Sequence, residues 1–188
     1  RFYSLEFGYV PPSIIIPILE ETGLILPIGN WVIEKALTTC KNMQQYIPGF
    51  KVSINISYVQ VLKIDIVKEF LSVMKELDLS PTNVIVELTE SGYLESNYRH
   101  LQTWQRLKEA GISLALDDFG TGYANFHYLD ELKPNIIKID RSFVNRAMDN
   151  DFEYALLKNL SKLSKELDLN LCIEGIETKE ECSKILQL

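Results

Sequence analysis

The chain is short of the residues that soft-metal and disulfide chemistry require. It has three cysteines, Cys40, Cys172 and Cys182, and two histidines, His100 and His127. The cysteines are odd in number and lack metal-ligand spacing, so they read as reduced thiols in a cytoplasmic setting. The histidines are isolated, which leaves a zinc site without ligands. Positive charge is also scarce: 19 Lys and Arg face 26 Asp and Glu, a net charge of −7. Long nucleic acid needs a basic track and is excluded as a partner. A small anionic ligand held through metal ions is not. No apolar run approaches the roughly 20 residues of a membrane span, and the N-terminus carries no signal-peptide pattern. No Gly-rich loop follows an early strand, which removes the support for a doubly wound dinucleotide fold.

What is present is an ordinary core composition, 46% apolar and 24% charged over 188 residues, enough for one domain or most of one. Arg1–Tyr9 is aromatic-rich and reads as the exit from a strand. Helices are expected at 13–21 with Ser13 as N-cap, at 28–46, 61–77, 96–110, 124–132 and 151–167, with a last one opening at Thr178. Apolar or alternating runs at 51–57, 83–89, 112–116, 134–140 and 170–174 read as strands. Five strands alternating with helices imply parallel strands joined by crossover helices. Their ends recur every 20 to 35 residues or so, matching the roughly 30 residues per unit of a (β/α)₈ barrel. The expected fold class is therefore α/β, a TIM-like (β/α)₈ barrel with about five strands visible.

The strand ends carry the chemistry. They are Asn55, Glu87 with Glu90, Asp117 with Asp118, Lys138 with Asp140, and Glu174 with Glu177. In a parallel barrel these ends converge on one face. The residues two positions earlier, Ser53, Ile85, Ala115, Ile136 and Cys172, share their side of each strand and are small or apolar, as a barrel interior requires. Adjacent carboxylates at Asp117 and Asp118 repel one another at the edge of a low-dielectric core, and a hard divalent cation relieves that repulsion. Any one polar strand end is explained equally well by helix capping; five together, nearly all oxygen donors plus one lysine, are not. The set suits metal-assisted phosphodiester hydrolysis, in which two ions clamp the attacking and leaving oxygens. Lys138 either steers the attacking water or only neutralises the carboxylates. Asp118-Phe119-Gly120 is not a kinase metal motif, since no Gly-rich loop or His-Arg-Asp loop accompanies it.

Six stretches carry a specific resemblance: Pro12–Pro17 with Glu20–Leu24, Ser53–Ser57, Glu87–Glu90, Asp117–Tyr123, Lys138–Phe143 and Glu174–Glu177. In this order they resemble the EAL domain, the cyclic di-GMP phosphodiesterase family. The resemblance implies cleavage of cyclic di-GMP to linear pGpG with Mg²⁺ or Mn²⁺ at a two-metal site. It implies Asn55, Glu87 and Asp117 as metal ligands and Asp118 as ligand to the second ion. Lys138 matches the water-activating lysine, Glu174 a carboxylate that reaches the metal directly or through water, and Glu177 its supporting partner. Glu90 matches the anchor of the loop after Asp118, a loop linked to metal binding and to homodimer formation. Arg1 matches a substrate-phosphate contact, and Asp140 is grouped with the substrate-binding residues. Ala124 and Asn125 replace a small Ser pair common in that loop.

The resemblance also makes residues 1–188 a single EAL domain fragment. The strand with the Glu-Ala-Leu glutamate would precede Arg1, and the strand with a late Gln would follow Leu188. A sensor or cyclase domain is expected in the parent protein, which could be membrane-anchored through another domain. The alternative function is a non-catalytic cyclic di-GMP receptor or protein-interaction module. An open five-stranded sheet exposes strand edges and apolar interior. The isolated 188 residues are therefore expected to be poorly stable or to associate. A cooperative thermal melt by circular dichroism that is independent of protein concentration would contradict this.

Overall fold

The computed structural model describes residues 2–89, 98–120 and 126–188. Two compact units divide the chain, Arg1–Val84 and Ile85–Leu188.

The first unit opens on an antiparallel hairpin, β1 (Phe2–Ser4) and β2 (Gly8–Val10), with Tyr3 opposite Tyr9. The expected single aromatic segment is thus two strands. Ser4 Oγ accepts from the amides of Glu6 and Phe7, and Gly8 supplies the positive φ of 69° that closes the turn. Helix α1 (Pro12–Thr22) is capped at Pro11 rather than Ser13, and Pro12 occupies the first helical position, where its missing N–H costs nothing. Gly23 ends it in the left-handed region. Helix α2 (Ile25–Met43) buries Ile33, Leu37 and Cys40. Strand β3 (Val52–Asn55) follows.

The helix expected over 61–77 is two helices, α3 (Tyr58–Lys63) and α4 (Ile66–Glu76). Ile64 is extended and Asp65 caps the second helix by accepting from Lys68 N–H, so local side-chain chemistry broke a continuous apolar period. Ser57 and Gln60 form a reciprocal capping box on α3, and Gln60 is buried there against α2. A 3₁₀ turn, Pro81–Asn83, leads into β4 (Val84–Thr89).

The second unit continues with α5 (Tyr98–Glu109), β5 (Ser113–Phe119), α6 (Phe126–Leu132), β6 (Ile136–Ile139), α7 (Arg141–Asp149), α8 (Asp151–Glu166), β7 (Asn170–Ile173) and α9 (Lys179–Ile185). Strands β4, β5, β6 and β7 pair in sequential order and all in parallel. A doubly wound sheet would reverse direction at a switch point, and none occurs along these four. One side of the sheet is sealed by Val84, Val86, Leu114, Leu116, Ile137 and Ile139, each 1% exposed or less. The alternate residues carry the polar strand ends. Of their expected apolar neighbours, Ala115 is buried, Ile85 and Ile136 are half-buried, and Cys172 is exposed.

Gly29 in α2 offers a test of the capping box. A Cβ there would lie 2.0 Å from Gln60 Nε2. Alanine favours helix by about 1 kcal/mol over glycine, but here it displaces a buried cap. Gly29→Ala is expected to lower unfolding free energy by about 1 kcal/mol in urea titration. In a Gln60→Ala background the same change should be neutral or stabilising.

Candidate active site

Strand β5 does not run straight past its neighbour. Leu116 pairs with Ile137 and Phe119 with Ile139, so two residues, Asp117 and Asp118, stand opposite one, Lys138. This is a bulge, a device that re-aims side chains and is rare between parallel strands. Asp118 absorbs the irregularity at a φ of 57°, a region Asp tolerates better than most residues. Its amide donates to Asp117 Oδ1 at 3.0 Å.

In the register Glu87 on β4 pairs with Ala115 on β5, Ala115 with Ile136 on β6, and Lys138, two residues further along β6, with Cys172 on β7. Lys138 Nζ therefore meets three carboxylates: Asp117 Oδ1 at 2.9 Å, Glu174 Oε1 at 3.0 Å and Glu87 Oε2 at 3.1 Å. Three donors on one ammonium satisfy three acceptors. Burial of Lys138 disfavours its charge, but the hydrogen bonds to Asp117, Glu174 and Glu87 outweigh that and hold its pKa well above the ordinary lysine value. Asp118 has the opposite problem. Burial and then the charges of Asp117 and Asp140 push its carboxyl upward, with Lys138 only partly offsetting them.

The remaining expected site residues fall in distinct places. Asp140 follows β6 and caps α7, accepting from Ser142 N–H at 2.7 Å; hydrogen bonding from the Ser142 side chain first, and then from the amides of Ser142 and Arg141, holds its carboxyl below the usual range. Glu177 lies beyond β7 and pairs with Arg141 at 2.7 Å. Asn55 closes β3 in the first unit. Arg1 and Glu90 lie outside the described residues, as does most of the loop after Asp118, at 121–125. Among the described residues, no three carboxylate, thiol or imidazole side chains are arranged to hold an ion as they stand. Among the described residues, Lys138 fills the centre of the carboxylate set formed by Glu87, Asp117 and Glu174.

The family model for the EAL domain matches residues 1–188. The chain belongs to the EAL domain family. It is 30% identical to MucR of Pseudomonas aeruginosa, a bifunctional diguanylate cyclase/cyclic di-GMP phosphodiesterase, over 185 residues, 96% of this chain and 27% of that protein. It is 32% identical over 188 residues to PdeG of Escherichia coli, a probable cyclic di-GMP phosphodiesterase, covering 100% of this chain and 37% of that protein. The solved structure of the EAL enzyme Bd1971 in its cAMP and cyclic di-GMP bound form superposes over 100% of this chain and 52% of its own, with a TM-score of 0.91 and 28% identity. The PaMucR phosphodiesterase in complex with c-di-GMP gives 0.86 and 29% over 100% of this chain and 76% of its own. The EAL domain here therefore has the family's α/β, TIM-like barrel fold, and it spans about a quarter to a third of these curated relatives.

Reading this EAL domain from its sequence missed α7 and with it two cations near the site, Arg141 and Arg146. Arg146 donates to the carbonyl of Gly120 at 2.9 Å and lies 5.5 Å from the centre of the Phe143 ring. Phe143 in turn packs on Gly120, whose φ is 96°. Asp140 with Ser142 directly after a strand was the available signal for this helix start.

The lysine–carboxylate cluster makes a direct prediction. Because folding raises the ammonium's pKa, its contribution is full at neutral pH and is lost only as pH rises through the raised value. In metal-free buffer, Lys138→Met should cost about 2–3 kcal/mol at pH 7, less than a fully buried pair because Glu174 is 42% exposed. Urea melts should show the deficit narrowing as pH rises past the ordinary lysine value of about 10.4, where the unfolded chain releases the proton that the folded cluster keeps. A deficit independent of pH would mean that the ammonium does not hold the three acids.

Proposed function

We propose that this EAL domain supplies the catalytic residues of a metal-dependent phosphodiesterase that hydrolyses cyclic di-GMP to linear pGpG. The observation that carries the reading is the convergence of Glu87, Asp117 and Glu174 on Lys138 beside the Asp117–Asp118 bulge. The names of its relatives and the ligand-bound forms of its structural neighbours support it.

The donor set suits Mg²⁺ or Mn²⁺, which favour carboxylate oxygen. Burial and the charges of Asp117 and Asp140 hold the Asp118 carboxyl above its ordinary pKa, an environment that a bound cation would relieve. Glu87 and Asp117 would hold one ion and Asp118 a second; family resemblance adds Asn55 to the first and Glu174 directly or through water. When bound, such ions polarise a phosphoryl oxygen and lower the pKa of water.

The chain's own residues do the rest. Lys138 keeps its proton in this arrangement, so it donates: it can orient a water or a phosphate oxygen and balance developing negative charge. Glu87 and Asp117, 7% and 9% exposed, are too buried to lean outward and so fix the depth of the site. Asp140 is committed through its carboxylate to the start of α7, and its contact with substrate, if made, uses its remaining lone pairs. A cyclic dinucleotide carries two phosphates, and a chain of net charge −7 binds it only where cations have been gathered.

Turnover of cyclic di-GMP with Mn²⁺ and with Mg²⁺, assayed in the chain with its natural flanking sequence, tests the proposal. Asp117→Ala should reduce product by at least about 100-fold, the scale of losing one charged group at a reacting phosphate. Binding of cyclic di-GMP by calorimetry without turnover would make the protein a receptor instead.

A further inference from the structure

Glu174 is the most exposed of the three carboxylates on Lys138, with 42% of its side chain accessible, yet it reaches Nζ at 3.0 Å. It stands at the end of β7, held to the sheet by its amide bonding to Ile139 O at 3.1 Å. The chain then turns away through Gly175 at a φ of 76°. Something must hold that turn, or the carboxylate swings into solvent.

Arg141 is in place to do so. It lies three residues after Lys138, at the first turn of α7. Its aliphatic stem lies against Gly175 so closely that a Cβ there would be 2.4 Å from Arg141 Cγ. Its guanidinium pairs with Glu177 at 2.7 Å. The two contacts bracket residues 175–177 from one side. From the other, the Glu181 carboxylate accepts from the amides of Glu177 and Thr178 at 2.8 and 2.9 Å.

We propose that Arg141 is a positioning residue that ties the end of β6, which carries Lys138, to the turn after β7, and so keeps Glu174 aimed at the cluster. The role rests on the reading of this cluster as the metal-dependent site. An exposed ion pair of this kind contributes little to global stability. Its effect is local, on a turn of a few residues, and that separates positioning from a structural role.

The test compares Arg141→Ala and Arg141→Lys with the unaltered chain in its natural flanking sequence. Three quantities are read: amide hydrogen exchange at Glu174 and Glu177, whose amides are bonded to Ile139 O and to the Glu181 carboxylate, Mn²⁺ affinity by calorimetry, and melting temperature. For Arg141→Ala, exchange at the turn should be at least about tenfold faster. Mn²⁺ affinity should fall about 10-fold, as for other groups that orient a ligand from behind. The melting temperature should move by less than about 3 °C. Arg141→Lys keeps the stem and the charge and should recover most of both local effects. Unchanged exchange at the turn in Arg141→Ala overturns the proposal, because the Glu181 cap alone then holds the turn. A fall in melting temperature with equal losses in both variants also overturns it, in favour of a general structural role. Failure of the unaltered chain to bind Mn²⁺ counts against the phosphodiesterase reading, and the exchange result then decides the proposal by itself.

Discussion

Three carboxylates from neighbouring strands meet around one ammonium. Glu87, Asp117 and Glu174 each lie about 3 Å from Lys138 Nζ, and Asp118 follows Asp117 at the same strand end. A parallel sheet alone would not produce this. Strands in register present their side chains in rows, and the bulge in β5 is what sets two consecutive aspartates opposite one lysine, with Asp117 in contact with it. The rest of the second unit can be read as support for that irregularity. The apolar residues on the other side of the sheet bury completely and fix the parity of every strand, so the acidic ends have no alternative face.

The supports are concentrated in α7. It begins directly after β6, so its residues are tied to Lys138 by a few covalent bonds. Phe143 and Arg146 close on Gly120, the residue that follows the bulge, and Arg141 closes on Gly175, the residue that follows Glu174. Both glycines adopt positive φ, and at both the packing leaves no room for a side chain. One short helix thus touches the chain on each side of β6, where the two flanking strands release their acids. Its own start is stabilised by Asp140, whose carboxylate is more acidic for that reason.

The electrostatic balance bears on how an acidic chain could serve the anionic ligand proposed for it. Net charge sets the long-range field, and at −7 that field repels nucleotides. Short-range attraction must then come from a few concentrated cations. Lys138 is one, and the carboxylates around it would suit divalent ions as the others. Membership of the EAL family agrees with this arrangement, and the structural neighbours include forms bound to cyclic di-GMP.

Much of this was legible in the order of residues. Period-two runs ending in acids placed the strands, and their spacing implied sequential parallel pairing, because crossover helices of that length allow little else. The identities Glu87, Asp117, Asp118, Lys138 and Glu174 followed from their place at strand ends. Local hydrogen bonding was less visible. Asp65 split one expected helix into two, Pro11 and Pro12 took over the cap assigned to Ser13, and the hairpin at Phe2–Val10 was hidden in an aromatic run. What the tertiary structure alone decided is geometric: which carboxylates share the ammonium, that Asp117 and Asp118 occupy a bulge, and that Arg141 and Arg146 return to the site from α7. Periodicity reports which face a residue occupies. It carries no information on a one-residue slip between strands, because that slip is set by packing against partners far away in the chain.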